Sequence, residues 1–492
     1  MATSKNYLAF DLGASSGRAV IGRFNGRKVD LEEIHRFPNG AMDLPGGLYW
    51  NAVGLYSEIL IGLRKARTEA DSLESTGLDT WGVDFGLLDA SGELVGTPHC
   101  YRDPRVDEIM GRAFQKVSRE TMFEATGIQF LAFNSVFQLY SMVEARLPQL
   151  DIARTFLTMP DLLNYWLTGA KVCEFSNATT TQCYNPRQKG WATDILDELG
   201  IPTMMFPEIV TPGTSLGSIR DAVKQETGID SLNVIAPACH DTGSAVAAVP
   251  MSSREDALYI SLGTWALMGA EILEPAINEK SLSHNFTNEG GVDGTFRFLK
   301  NIAGLWIVQE SQRTWDLAGN ELSFHELTER ARRAEPILSL IDPDDADFVA
   351  PGDMPSRVRA HCESSGQPIP EDEGSLIRCA LDSLAVKCRI THRSIEDVLG
   401  HSFSTVHIVG GGIQNKLLCQ LIADATGLEV QAGPVEATAL GNILVQAIAS
   451  GEIGSLSQAR DVVRASTPVE VYTPQSPDIW EEAQDRFLRL TT

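Results

Sequence analysis

The sequence predicts a two-domain α/β protein, and three features of it point there. The chain has 492 residues, enough for two to four domains at roughly 150 residues each. An apolar run, a glycine-containing turn with hydroxyl residues and a second apolar run occur at 7–24 (YLAFDLGASSGRAVIGRF) and again at 257–272 (ALYISLGTWALMGAEI), with Asp11-Leu12-Gly13 aligning with Ser261-Leu262-Gly263. Between and after these echoes, strand-like and helix-like patterns alternate.

Taken in order, residues 7–24 read as strand, tight turn, strand. Residues 75–96 read as a strand pair closed by the Asp-Ala-Ser-Gly turn at 89–92. Residues 233–249 read as a strand running into a helix of small residues. The second hairpin follows, and PMSSRE (250–255) just before it is the expected domain junction. Residues 406–433 read as strand, glycine turn, amphipathic helix and strand, with Leu417, Leu418, Leu421, Ile422 and Ala425 on one helical face. Residues 436–451 form a second apolar helix stopped by Gly451. One match at half-chain spacing is not a short-period repeat; it implies two similarly built halves, against the alternative of two hairpins alike by chance.

Composition narrows the function classes. Forty Lys and Arg against 65 Asp and Glu give a formal charge of −25, which disfavours nonspecific binding to nucleic acid or anionic membranes. A site for an anion must then draw its positive potential from backbone dipoles, a few cations or a metal. The opening stretch MATSKNYLAFDLG is not expected to be a signal peptide, and no apolar run nears the length of a spanning helix. The eight cysteines are scattered, without CxxC or zinc spacing, as expected of reduced cysteines in the cytoplasm. Cys362 and Cys379 could pair, though nothing in the sequence requires it.

Neither a Walker A motif nor GxGxxG in a Rossmann context is present. Three small-residue turns remain: 13–18, where Arg18 adds a cation, and 261–265 with Thr264, as phosphate cradles, and GGGIQN at 410–415 opening a helix, suited to a flat ring or a phosphate. Gly17 is expected to leave space for phosphate, and a branched side chain there would fill that space and penalise any φ > 0 conformation. In CHDTGSA (239–245), Asp241 follows an apolar strand and precedes a helix, the place where α/β folds expose ligand-binding groups. It reads as a catalytic carboxylate or as a helix N-cap. His240 reads as a sugar contact or as a buried, satisfied histidine. DTWGVDF (79–85) and YRDPR (101–105) bring an indole, carboxylates and guanidinia together, chemistry suited to a polyol. The plain alternative makes Trp81 core and Arg102–Asp103 a surface pair, with Asp84 the other acidic residue of the sugar side.

The ordered series DLGASSGR, WGVDF, YRDPR, HDT, SLGTW, GGGIQN and GNI resembles the FGGY carbohydrate kinases over residues 7 to about 475. The resemblance implies a two-domain actin/hexokinase-like (ribonuclease H-like) fold with the active site in the interdomain cleft. Residues 1–250 would carry the sugar side, the first phosphate hairpin and the catalytic aspartate, and 251–492 the second phosphate hairpin and the adenine side. It implies ATP-dependent, Mg²⁺-supported phosphorylation of a ketose at a terminal hydroxyl, with small-molecule partners and neither nucleic acid nor membrane. By motif, Asp241 is the implied general base, and Asp11 and Asp241 the implied metal ligands. Ala14, Ser15, Ser16, Gly17, Arg18, Thr264, Asn301, Gln309 and Gly411 are the implied ATP contacts. Gly82, His240, Asp241 and Thr242 are the implied sugar contacts. One departure is Asp161, in MPDLLNYWLTG, where many members carry lysine; it leans away from glycerol and xylulose as substrates. Two other classes share the hairpins: an ATP switch of the actin and chaperone type, which needs neither Asp241 nor the 79–105 constellation, and a phosphohydrolase using water as acceptor.

Overall fold

The structure is a computed structural model that describes residues 4–476 and 478–490. Residues 1–3 of the opening stretch lie outside the described residues. The chain forms two compact units. One comprises the chain through Pro250 with Glu271–Phe298 and Ala437–Ser466; the other comprises Met251–Ala270, Leu299–Glu436 and the chain from Thr467.

The first unit is built on a six-stranded sheet. Its strands are β1 (Lys5–Leu12), β2 (Ser16–Phe24), β3 (Val29–Pro38), β4 (Ser75–Thr80), and two that come after a second small ladder. That ladder pairs β5 (Phe85–Leu88) with β6 (Thr155–Thr158); the last two strands are β7 (Ser215–Ser218) and β8 (Asn233–Ile235). The order is β7-β8-β4-β1-β2-β3. β1 to β3 run antiparallel, and β4 and β8 are parallel to β1. Leu8, Phe10, Leu12, Ile21, Leu78 and Val234, from these strands, belong to one buried apolar core.

The 75–96 reading needs correction. The turn at Asp89 to Gly92 forms, closed by Gly92 N–H donating to Asp89 O at 3.1 Å. The strand before it is not one element: β4 pairs with β1 and β8, whereas β5 pairs with β6, and the return arm makes a single bridge, Leu88 to Leu94. The break falls at Trp81 to Asp84, where Val83 has φ +67°. A β-branched residue there is a true conformational outlier, held by Thr180 Oγ1, which accepts from Val83 N at 3.1 Å, and by Gln138 Nε2, which donates to Val83 O at 3.4 Å.

A seven-stranded sheet, most of it in the second unit, comprises β9 (Ala257–Leu262), β10 (Trp265–Ile272), β11 (Thr287–Gly290), β12 (Phe296–Ala303), β13 (Thr405–Val409), β14 (Glu429–Ala432) and β15 (Glu470–Tyr472), with β11, the end of β10 and the start of β12 belonging to the first unit. The order is β11-β12-β10-β9-β13-β14-β15. β9 and β10 are antiparallel, and β13 and β14 continue parallel to β9. The run β12-β10-β9-β13-β14 thus repeats β3-β2-β1-β4-β8 in order. The echo noticed in two hairpins extends to the sheets around them.

Helices α1 (Phe175–Thr180), α2 (Asp241–Ala247), α3 (Trp306–Leu317), α4 (Lys416–Thr426) and α5 (Ala437–Ala449) place the residues discussed below. The five α4 residues expected on one face are all buried. Gly451, beyond α5, has φ +79°, the left-handed geometry that ends helices at glycine. All eight cysteines are free and buried. Cys362 and Cys379 therefore form no bridge; their thiols share a hydrogen bond that pushes the two apart, Cys362 down and Cys379 up. Among the described residues no helix is long and apolar enough to cross a membrane.

Candidate active site

In the first unit the register of the sheet assembles a row of charges. Asp11 pairs with Arg18 on one side and with Asp79 on the other, so the three side chains stand on one face near the C-terminal ends of parallel strands. Arg18 donates to Asp11 Oδ2 from Nη2 at 2.7 Å and from Nε at 3.0 Å. Its charge is therefore committed to Asp11, a partner that the reading of Arg18 as a phosphate cation did not include. Asp79 is fully buried; Asn442 Nδ2, from α5, donates to its Oδ2 at 2.5 Å, and Oδ1 has no partner among the described residues. Burial, then the Asp11 and Asp241 charges, push its carboxyl well above the ordinary range.

Asp241 is reached through the backbone. Thr80 N donates to Cys239 O at 2.9 Å, and Thr80 bridges His240 in parallel register. Asp241 is the first residue of α2; the N-cap position belongs to His240, whose side chain makes no capping bond. The N-cap reading of Asp241 is thus displaced by one residue. Its Oδ1 accepts from Thr242 N at 2.5 Å and Thr242 Oγ1 at 3.1 Å, and its side chain retains 30% exposure. Burial, and the like charge of Asp11, raise its pKa against the opposing pull of His240.

His240 is buried at 8% exposure, yet it is not inert. Arg297, fully buried, donates from Nη2 to His240 Nδ1 at 3.1 Å and from Nε to Gly290 O at 2.8 Å. Guanidinium can only donate, so in the neutral ring this bond leaves the proton on Nε2, 3.4 Å from Asp241 Oδ1. Glu289 Oε2 lies 3.2 Å from Arg297 Nη2. Sequence reasoning missed Arg297 and Glu289; NEGG (288–291) is the only local signal. It also missed Glu174, which accepts from Cys239 N and from Ser176 N, each at 2.8 Å, and so holds the backbone entering His240.

Gly82 lies against α1: a Cβ there would meet Thr180 Oγ1 at 2.9 Å. The 79–105 constellation divides. Trp81, at 6% exposure, packs on Trp50 with ring centroids 4.2 Å apart, so it is core. Asp84 is fully buried and accepts from the Trp50 and Trp81 indoles at 2.5 and 3.0 Å, from Gln138 at 2.9 Å and from Tyr101 N at 3.1 Å. Burial still holds its pKa up at about 6. With its oxygens so occupied, Asp84 is a tie between segments rather than an open sugar contact. Arg102–Asp103 is not a surface pair: Asp103 is buried and accepts from Leu48 N and Arg105 N, while Arg102 Nε donates to Tyr101 Oη at 3.2 Å. Asp161 is buried too, accepting from Thr158 Oγ1 and Glu174 N, with its pKa raised to about 8 by burial.

The first hairpin turn spans 13–15, with Gly13 N donating to Ser16 O at 2.9 Å. Ser15 is exposed, Ala14 and Ser16 are half-buried, and Asn39 Nδ2 pins Gly13 O at 2.8 Å. Gly17 is corrected: it lies in β2 without positive φ, and a Cβ would strike the Phe37 ring at 2.3 Å. It is glycine because of Phe37. Gly13 and Gly263 also lack positive φ, so turn geometry does not demand glycine at either.

In the second unit, Gly263 N donates to Trp265 O at 2.8 Å, closing the second turn. Thr264 Oγ1 donates to Gln309 Oε1, on α3, at 3.0 Å, which brings two expected nucleotide contacts together. Asn301 sits on β12, half-buried. Gly304 went unnoticed in the sequence; a Cβ there would meet backbone of Trp265 at 2.6 Å, and its N–H donates to Thr264 O at 3.0 Å. Within GGG, Gly410 (φ +92°) and Gly412 pack on Leu262, while Gly411 faces open space. The α4 N-terminus is capped by Asn415, whose side chain accepts from Leu418 N.

Comparison with known proteins defines the class. Residues 6–248 match the FGGY family of carbohydrate kinases, N-terminal domain, and residues 258–450 match the C-terminal domain of that family. The chain belongs to the FGGY family of carbohydrate kinases. It is 41% identical over 483 residues to the rhamnulokinase of Bacteroides thetaiotaomicron, covering 98% of this chain and 99% of that one. It is 42% identical to the rhamnulokinase of Oceanobacillus iheyensis, covering 94% and 97%. Among solved structures, gluconate kinase from Lactobacillus acidophilus superposes with a TM-score of 0.81 at 14% identity, covering 99% of this chain and 97% of that one. The fold is the two-domain, actin/hexokinase-like architecture of those enzymes, as the motif series implies.

Proposed function

We propose that the protein transfers the γ-phosphoryl group of ATP to the 1-hydroxyl of L-rhamnulose, giving L-rhamnulose 1-phosphate, in the cytoplasmic breakdown of L-rhamnose. The observation that carries the chemistry is the row Arg18, Asp11, Asp79 with Asp241 beside it. Three carboxyl groups stand beside one guanidinium: after burial, the Asp11 and Asp241 charges raise Asp79 and the Asp11 charge raises Asp241, the electrostatic sign of a site rich in negative charge. The substrate assignment draws on the full-length relatives, both named rhamnulokinase.

This donor set fits magnesium. Among the described residues no three metal-ligating side chains form a ready cage, and Mg²⁺ is ordinarily held by one or two carboxylates together with waters and substrate phosphates. Asp11 and Asp241 are its proposed holders. When bound, the ion neutralises charge on the transferring phosphates.

The remaining steps belong to side chains. Asp241, with its raised pKa and partial exposure, accepts the proton of the attacking hydroxyl; a base poised nearer neutrality suits that task. His240, oriented by Arg297, fixes Asp241 from the Nε2 side and faces the ketose with Gly82 and Thr242. Gly13 and Gly263 leave the two turns bare, so that Ala14, Ser15 and Thr264 present backbone N–H groups to phosphates, with Ser16, Gly17 and Arg18, at the start of β2, as the further proposed ATP contacts. Asn301, Gln309 and Gly411 are the proposed contacts on the nucleotide side. The two proposed halves, 1–250 and 251–492, divide at PMSSRE.

The test is a coupled ADP-release assay with L-rhamnulose, L-fuculose, L-xylulose, xylulose and glycerol, and without sugar. L-Rhamnulose should give the highest kcat/KM. A higher value for another ketose replaces the substrate and keeps the kinase; sugar-independent hydrolysis at the same rate overturns the kinase reading in favour of an ATPase.

A further inference from the structure

Glu174 is fully buried at the N-cap of α1, yet its bonds reach beyond that helix. Its Oε1 accepts from Ser176 N at 2.8 Å, and its Oε2 from Ser176 Oγ at 2.5 Å and Asn177 N at 3.3 Å. Those are the bonds of a helix cap. Oε2 also accepts from Cys239 N at 2.8 Å, a partner 65 residues away in the chain. The hydroxyl of Ser176 in turn accepts from His240 N at 3.0 Å. Two successive backbone N–H groups, immediately before Asp241, thus end on one carboxylate and on the serine bound to it. Cys239 O accepts from Thr80 N at 2.9 Å, so Cys239 is held through both of its backbone polar groups.

The residue type carries the argument. Aspartate is a favoured N-cap and glutamate is not, so capping alone would be better served by the shorter side chain. The extra methylene lets one carboxylate serve α1 and Cys239 N together. The backbone of Glu174 is fixed as well, its N–H donating to Asp161 Oδ1 at 3.1 Å, which gives the buried Asp161 a place in the same chain of contacts. Further along α1, Thr180 Oγ1 accepts from Val83 N at 3.1 Å, next to Gly82, and Thr179 Oγ1 accepts from Gly290 N at 2.8 Å, next to Glu289. One short helix therefore ties together the segments that carry Gly82, Glu289 and Asp241.

We infer that Glu174 is a positioning residue for ketose phosphorylation: through Cys239 N and the Ser176 hydroxyl it sets where His240 and Asp241 stand relative to the sugar. This rests on Asp241 and His240 acting as proposed above.

Glu174→Asp separates positioning from capping. An aspartate there still caps α1, but its carboxylate is drawn back by one methylene, about 1.5 Å, away from Cys239 N. A misplacement of about 1 Å can cost about 10²-fold in rate. The assay uses the full chain and the ketose that the wild type turns over fastest, with circular dichroism to show that each variant is folded. In Glu174→Asp, kcat should fall by about ten- to a hundredfold and KM for the ketose should rise severalfold, while KM for ATP stays within about twofold of wild type. A smaller folded fraction would lower kcat without separating the two KM values. Ser176→Ala removes the acceptor of His240 N and leaves the bonds from Ser176 N and Cys239 N to Glu174 in place. It should lower kcat by about threefold or more with the same separation of KM values, and it keeps the test intact if Glu174→Asp does not fold. Wild-type kcat and ketose KM in either folded variant, or ketose and ATP KM rising together, would overturn the inference. Absence of ketose turnover in the wild type would overturn the proposed function and this inference with it, so the two failures are read from different proteins.

Discussion

Replacing Asp241 with asparagine separates its chemical role from its place in the helix. The side chain accepts from Thr242 N and Oγ1 through Oδ1, and an amide oxygen can do the same, so the first turn of α2 is retained. What changes is charge. The Asp241 carboxylate raises Asp79, and Asp11 raises Asp241, so removing the charge relieves repulsion instead of adding strain. The pH dependence has a definite sign: a carboxyl whose folded pKa is raised stabilises the fold below its unfolded pKa, and that contribution is lost as pH rises through the folded pKa. Asp241→Asn should therefore melt no lower than wild type at pH 7 and lose less stability between acid and neutral pH. Turnover is another matter, because an amide cannot accept the hydroxyl proton. Loss of a general base costs about 10²–10⁴-fold in rate, and loss of a proposed metal holder adds to it. The assay is kcat for ketose phosphorylation alongside melts at pH 5 and pH 7. A folded variant keeping more than about a tenth of wild-type kcat would refute the base assignment. Asp84 would not be the substitute, since its oxygens are already taken by Trp50, Trp81, Gln138 and Tyr101.

Five other substitutions test separate parts of the structure. Gly17→Val should destabilise the first unit by about 1–3 kcal/mol through overpacking on Phe37; an unchanged denaturant midpoint with weakened ATP binding would return Gly17 to a direct phosphate role. Gly441→Ala places a Cβ 1.8 Å from Ser244 O, forcing α5 off α2, and should lower the midpoint by a similar amount or more, whereas Gly411→Ala, facing open space, should leave the midpoint alone. Asp161→Asn should gain stability relative to wild type as pH rises from about 4 towards 8, because the Asp161 pKa is raised to about 8 and its neutral form is the favoured one; melts at pH 5 and 8 that differ equally in both proteins would contradict this. Thr264→Val removes the donor to Gln309 and should raise KM for ATP severalfold while leaving the melt without nucleotide unchanged.

By itself the sequence determined what short-range pattern can determine. Alternation marked β1–β2 and β9–β10, the 3.6-residue stripe marked the buried face of α4, and glycine marked the end of α5, because each signal is written within a few turns or one pleat. It also placed Asp11, Asp241 and Thr264 at strand or helix ends, where a backbone change leaves side chains accessible. Tertiary structure alone decided what those residues meet. Asp11 lies beside Asp79 because of parallel register between strands far apart in the chain, and His240 is oriented by Arg297, which reaches it from a later strand. Glu174 holds the Cys239 backbone across a similar gap. Such pairings leave no periodic trace, since each needs only one residue of the right type at one point. The same reason explains two residue choices that local pattern leaves open: Gly17 is small because Phe37 covers it, and Asp84 is acidic because two indoles, an amide and a backbone N–H converge on it. A composition rule sees glycine and aspartate; only packing distinguishes room left for a ligand from room filled by the protein itself.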